Sequence, residues 1–201
     1  MKMKRIIFVI TSFRHGGINK SLENLLSLID TEKYEVDIFA MEHYGPYKEM
    51  LPNSTILPED KWLSGLLSHY TDTSGLFRLR SLATKILRII GSKFNFDFTN
   101  TLFRIKANNL NKQKKYDVVI AFSEGSPTAF LSNVNHKNKI AWIHCDYNSY
   151  MKLNNNPDED KVYKTFKSIV CVSDYTKAEF CRKLPQYERN TFSLHNVLNL
   201  F

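Results

Sequence analysis

Residues 6–29 read IIFVITSFRHGGINKSLENLLSLI, and the reading of this stretch decides the fold. Ile6 to Ile10 is an apolar run rich in β-branched residues, the pattern of a fully buried strand. Gly16-Gly17 interrupts it. Ile18, Leu22, Leu25, Leu26 and Ile29 then fall on one face of a helix. Strand, glycine turn and amphipathic helix make one βα unit. Outward along the chain the theme repeats. Val36–Ala40, Asp117–Phe122, Ile140–Ile143, Ser168–Val172 and Thr191–Leu194 read as further strands. Asp174 reads as the N-cap of a helix reaching about Lys183, and Pro185 stops it. Continuous apolar strands alternating with helices predict an α/β fold. It is a Rossmann-like, mainly parallel sheet with helices on both faces.

Composition narrows the class. The 201 residues are 43% hydrophobic and 24% charged, with 14 Phe, 10 Tyr and 2 Trp. Such a chain can bury a core, which excludes a wholly disordered protein. Cys145, Cys171 and Cys181 make no disulfide framework, and free thiols point to a reducing compartment. The apolar run behind Lys2, Lys4 and Arg5 is too short for a signal peptide, and no stretch is long enough for a membrane span. A soluble, cytoplasmic chain is expected, either free or peripheral at the inner face of the plasma membrane.

The net charge of +8 is local: residues 61–115 alone carry +9. There Leu76, Leu79, Ala83, Ile86 and Ile90 form an apolar stripe at helical spacing, with Arg78, Lys85 and Arg88 beside it. Phe94, Phe96, Phe98 and Phe103 follow. Two readings stay open. One is a basic helical insertion that docks on an anionic membrane surface through Arg78, Lys85 and Arg88. The other is a helix pair that packs its apolar side on the domain and leaves its charges in water. No RRM, KH, zinc or helix-turn-helix pattern is present, so no nucleic-acid partner is expected.

Ligands in parallel α/β sheets sit at the carboxyl ends of the strands. That rule selects His15-Gly16-Gly17, Ser123-Glu124-Gly125-Ser126, His144-Cys145-Asp146 and Ser173-Asp174. Gly16-Gly17 can bring backbone N–H groups and a helix N-terminus to a phosphate, or can be a plain turn. The pattern is neither the dinucleotide fingerprint nor a P-loop. His144 can contact a sugar hydroxyl or phosphate, or can be a structural histidine. Glu124 is a hydroxyl acceptor or acid–base group, or a carboxylate that complements a helix dipole. The six His are scattered and no Cys or His pair has ligand spacing, so no metal is expected.

Gly16-Gly17 leading into Lys20-Ser21-Leu22-Glu23-Asn24-Leu25 resembles the start of bacterial GT-B glycosyltransferases of family 4. Trp142-Ile143-His144-Cys145-Asp146-Tyr147, Ile169-Val170-Cys171-Val172-Ser173 and Phe192-Ser193-Leu194-His195-Asn196-Val197-Leu198-Asn199 are similar to later segments of that family. The resemblance implies that residues 1–201 form one Rossmann-like, acceptor-side domain, the N-terminal half of a GT-B architecture. Its basic insertion is at about 61–115, and the C-terminal donor domain is absent. It implies a retaining transfer of a hexosyl-type sugar from a nucleotide-sugar to a glycan or lipid-linked acceptor in polysaccharide biosynthesis, without a metal or other cofactor. Gly16 and Gly17 would face the donor diphosphate, and His144 would be the catalytic contact to the transferring sugar. Glu124, Asp146 and Ser173 lie on equivalent loops as acceptor or sugar contacts. The basic and carboxylate donor residues of the family belong to its second domain, so the chain is expected to be inactive alone.

Two alternatives stand beside this. One is a non-enzymatic subunit that binds acceptor or recruits a separate catalytic chain to membrane. The other is a nicotinamide oxidoreductase, for which Glu42 is the nearest ribose ligand.

Overall fold

The computed structural model describes residues 2–67, 75–94, 96–154 and 159–197, except the side chains of residues 76, 77 and 111–113. Leu76 of the apolar stripe, and Leu198 and Asn199 of the last segment of resemblance, therefore lie outside the described residues or side chains.

Seven strands form one sheet: β1 (Lys4–Ser12), β2 (Tyr34–Glu42), β3 (Thr55–Ile56), β4 (Val118–Ala121), β5 (Lys139–Ile143), β6 (Ser168–Cys171) and β7 (Thr191–Ser193). Their spatial order is β3-β2-β1-β4-β5-β6-β7, and every pairing is parallel. The fold is thus α/β and Rossmann-like. All the predicted strands form. The two-residue β3 was not foreseen, since Thr55–Ile56 is too short to show a period.

Alternate side chains of each strand separate two cores. Phe8, Ile10, Ile38, Ala40, Ile120, Phe122 and Trp142 pack beneath α1 (Gly17–Ser27), which contributes Leu22 and Leu26. The opposite residues, among them Ile7, Val9, Met41, Val119, Ala121, Ile143 and Cys171, meet the remaining core helices. These are α2 (Lys61–Leu67), α4 (Phe98–Gln113), α5 (Ser126–Ser132), α6 (Tyr147–Asn154), α7 (Glu159–Tyr163) and α8 (Asp174–Lys183). Helix α3 (Gly75–Lys93) contributes no described residue to either core. The basic stretch 61–115 therefore divides. Its α2 supplies Leu63 and Leu66, and its α4 supplies Leu102, Phe103, Ala107 and Leu110 to the core of the β3-to-β4 crossover. Only α3 stands outside.

At the amino end of the sheet, Asp37 is 1% exposed and accepts from Lys114 Nζ at 2.8 Å and from the Tyr116 hydroxyl at 2.7 Å. Lys114 also reaches Glu35 at 2.7 Å. Buried charge demands partners. Tyr116→Phe removes one of the two bonds to that carboxylate. The expected loss is about 1–3 kcal/mol, read as a lower urea midpoint with an unchanged m-value.

Candidate functional site

In a sheet of this order the chain departs from β1 toward β2 on one side, and from β4 toward β5 on the other. The β1 and β4 loops diverge, and a crevice opens between them. A cavity of about 220 Å³ lies there, lined by Ile10 to Ser12, Arg14 to Asn19, and Ser123.

The loop that makes most of this cavity is fixed by local bonds. Asn19 Nδ2 donates to the Ser12 carbonyl at 2.9 Å and to the Arg14 carbonyl at 2.7 Å. Phe13 N–H donates to the Tyr44 carbonyl at 2.9 Å, and the Phe13 carbonyl accepts from Tyr47 N–H at 3.1 Å. Gly45 (φ +120°) makes this contact close enough: a Cβ there would sit 2.1 Å from the Phe13 carbonyl. Arg14 lies over the Tyr44 ring at 4.8 Å and pairs with buried Glu42 at 3.2 Å. Glu42 is therefore engaged with a cation of its own chain, and this counts against the nicotinamide reading.

Gly16 and Gly17 are exposed at the cavity mouth. Neither would meet any atom within 4 Å if given a Cβ. The space in front of them is open, and glycine there is not a packing requirement. Helix α1 begins at Gly17 with Gly16 as its cap, no side-chain cap bond and no acid in its first turn. Its first N–H groups thus face the cavity mouth as an uncompensated positive end.

The four loops at this edge behave differently. Asp146 is the N-cap of α6: its carboxylate accepts from Asn148 N–H at 2.9 Å and from Ser149 N–H at 3.2 Å. Those bonds hold it below the usual carboxylate range. Ser173 caps α8 by accepting from Thr176 N–H at 3.1 Å. The cap expected at Asp174 is therefore one residue earlier, and Asp174 instead accepts from the Ser193 hydroxyl at 2.5 Å. Helices α1 and α5, which follow the crevice strands β1 and β4, have glycine caps, Gly16 and Gly125, and no side-chain cap bond.

Glu124 joins the β4 loop to the end of β5: its Oε2 accepts from His144 N–H at 3.0 Å. The His144 ring meets Phe122 edge-on at 4.7 Å and stacks on Trp142 at 6.2 Å. Burial pushes its imidazole down to about 4, so it is neutral at physiological pH. Such a group exchanges hydrogen bonds but does not deliver a proton from an imidazolium. Burial and the neighbouring Glu124 push the Cys145 thiol up.

Three buried side-chain atoms without a hydrogen-bond partner cluster along β4 and β5: Ser123 Oγ, Trp142 Nε1 and His144 Nε2. Ser123 also lines the cavity. Ser123 stands in the Ser123–Ser126 loop, where a serine two residues before a glycine is an ordinary turn residue and does not stand out in the sequence. Its position directly after the buried Phe122 was the available signal. The structure brings Gly16, Gly17 and Ser123 to one cavity and His144 and Glu124 to the neighbouring loops. Asp146 and Ser173 lie further along the same edge. Arg78, Lys85 and Arg88 lie on α3, apart from this edge in the chain and outside the sheet core. Among the described residues no group of three or more His, Cys, Asp or Glu could hold a metal, and all three cysteines are free.

No protein-family model matches the chain, and no curated protein matches its sequence. The fold does have a solved relative. The crystal structure of Anabaena Alr3699/HepE in complex with UDP and glucose superposes with a TM-score of 0.58 at 14% identity, over 98% of this chain and 45% of that one. The chain therefore spans less than half the length of the protein it resembles in fold.

The neutral His144 has a consequence for stability. Its ordinary value near 6.5 in the unfolded chain falls to about 4 on folding. Between those values the unfolded chain holds a proton that the folded chain does not. Stability is full above about pH 6.5 and declines as pH falls toward 4, by on the order of 3 kcal/mol. Urea unfolding at pH 7.5 and 4.5 measures the decline. His144→Gln should reduce it, leaving the part due to His43, which burial also pushes down, and to Glu35, which Lys114 and Arg5 hold low.

Proposed function

We propose that the chain is the acceptor-side half of a glycosyltransferase of GT-B type, of the family 4 kind. It takes part in moving a hexosyl-type sugar from a nucleotide-sugar to a glycan or lipid-linked acceptor in polysaccharide biosynthesis, with retention of configuration and without a metal. The observation that carries the reading is the crevice between β1 and β4. A cavity, an uncapped helix N-terminus and an unpartnered buried serine hydroxyl meet there. An anionic, hydroxyl-rich ligand answers all three features. The fold shared with a protein captured with UDP and glucose supports the same class of ligand.

In this reading the N–H groups behind Gly16 and Gly17 face the donor diphosphate. Neutral His144 exchanges a hydrogen bond with the transferring sugar. Glu124 sets the position of the His144 backbone, and its second oxygen is the acceptor for a substrate hydroxyl. Asp146 and Ser173, whose side chains are used as caps, shape the edge of the acceptor site. The residues that grip the nucleotide belong to a partner domain, so the 201 residues alone should give only background sugar transfer. The reaction would take place on the cytoplasmic side, at the membrane where lipid-linked acceptors lie.

Amide spectra of the chain titrated with UDP-glucose test this. Shifts are expected at Gly16, Gly17, Ser123 and His144. Gly17→Ala should weaken them at a nearly unchanged melting temperature, since a Cβ there meets no atom within 4 Å. Shifts confined to other parts of the sheet, or equal shifts with NAD, would overturn the reading.

A further inference from the structure

Helix α3 is turned inside out. Ser81 and Thr84 are fully buried and Gly91 is buried. Thr84 Oγ1 donates to the Gly65 carbonyl of α2 at 3.0 Å. Gly65 lies so close to α3 that a Cβ on it would be 3.4 Å from the Ser81 nitrogen. The face that packs on the protein is therefore small and polar. At 100° per residue, Leu79, Leu82, Ile86, Ile89 and Ile90 fall within an arc of about 100° on the opposite side. All five are exposed, Leu79 to 62% and Ile89 to 59%. Phe94, 79% exposed, follows at the helix end, while Phe96 folds back over Gly91 on the packed face.

Water does not favour five aligned aliphatic side chains. The charge around them selects what covers the face. Helix α3 holds Arg78, Arg80, Lys85, Arg88 and Lys93 and no acidic residue. A second copy of the chain would bring two such sets of like charge together, and α3 itself supplies no acid to answer them. Nucleic acid would answer the charge but not the aliphatic stripe. An anionic bilayer answers both. No described helix is long and apolar enough to cross a membrane, so α3 lies on the surface.

We infer that α3 docks flat on an anionic lipid surface, its Leu79–Ile90 stripe toward the acyl chains and the flanking Arg78, Arg80 and Lys85 among the phosphates. The inference goes beyond the reading of the β1–β4 crevice and does not depend on it.

The test is vesicle co-sedimentation of the full 201-residue chain at about 0.1 M salt, with phosphatidylcholine alone and with phosphatidylglycerol added. Binding is expected only to the anionic vesicles and should weaken with added salt. Replacing Leu82, Ile86 and Ile89 together by Ser should cut partitioning at least tenfold. Replacing Arg78, Lys85 and Arg88 together by Glu should cut it on the order of a hundredfold. If the Glu variant loses its melting transition, Arg78→Gln with Arg88→Gln, both at exposed positions, serves in its place with a smaller loss. Equal binding to neutral vesicles, or binding unchanged in these variants, would overturn the inference. So would absence of vesicle binding together with a concentration-dependent dimer that the Ser variant dissolves. UDP-glucose shifts at Gly16 and Ser123 are read separately, so either idea can fail without the other.

Discussion

Every strand of the sheet runs the same way, and the rest of the molecule follows from that constraint. Parallel strands need crossovers, crossovers bring helices over both faces, and all carboxyl ends share one edge. At that edge each following helix begins with unsatisfied N–H groups that something must answer. Asp146 and Ser173 answer them for α6 and α8. At β1 and β4, where the chain reverses its direction of progress across the sheet, the answering side chains are replaced by Gly16 and Gly125. The absence of caps and the divergence of loops coincide at the same two strands. The open cavity at this place is thus a product of topology and of two glycines, before any reactive side chain is considered.

Much of the fold was legible because the physics that forms it is local. Ile6–Ile10 and Asp117–Phe122 have apolar runs that only a twice-covered strand tolerates. Ile18 to Ile29 has a period that only a helix satisfies. Thr55–Ile56 was not legible, since two residues carry no period. The extent of the β1-to-β2 coupling was not legible either. The Phe13 bonds to Tyr44 and Tyr47, and the Arg14–Glu42 pair, join positions about thirty residues apart. Nothing in the spacing of Gly45 announces that its missing side chain is what lets the two loops touch. The loops of the site could be selected from strand ends alone. Which of their side chains stay available could not, because capping is decided by backbone geometry. Asp146 and Ser173 look as available as Glu124 in the sequence.

Helix α3 shows the same limit in another form. Its stripe was visible at helical spacing, and so were its charges. Ordinarily the apolar side faces inward. That expectation rests on burial being the strongest available gain. Here α2 presents Gly65, and the small face Ser81–Thr84 fits against it more closely than leucines would. The orientation was therefore set by the partner helix, which a periodicity cannot contain.

The unpartnered atoms complete the physical case for the crevice. A buried polar atom without a partner costs about 1–3 kcal/mol, and native structures hold few of them. Ser123 Oγ, Trp142 Nε1 and His144 Nε2 lie near the ends of two adjacent strands, and the rings of Trp142 and His144 stack together. Phe122 and Trp142 hold the His144 ring by its faces and edges, which fixes its direction without satisfying its nitrogen. Burial keeps that nitrogen neutral, so its cost is that of a missing hydrogen bond and not of a buried charge. A neutral, oriented and unsatisfied imidazole suits a neutral hydroxyl better than a phosphate. The phosphate-seeking part of the same edge is the uncapped start of α1. The edge thus holds two chemistries on neighbouring loops: a positive helix end at Gly16 and Gly17, and a neutral hydrogen-bonding imidazole at His144. In the proposed function, a sugar joined to a diphosphate would meet both.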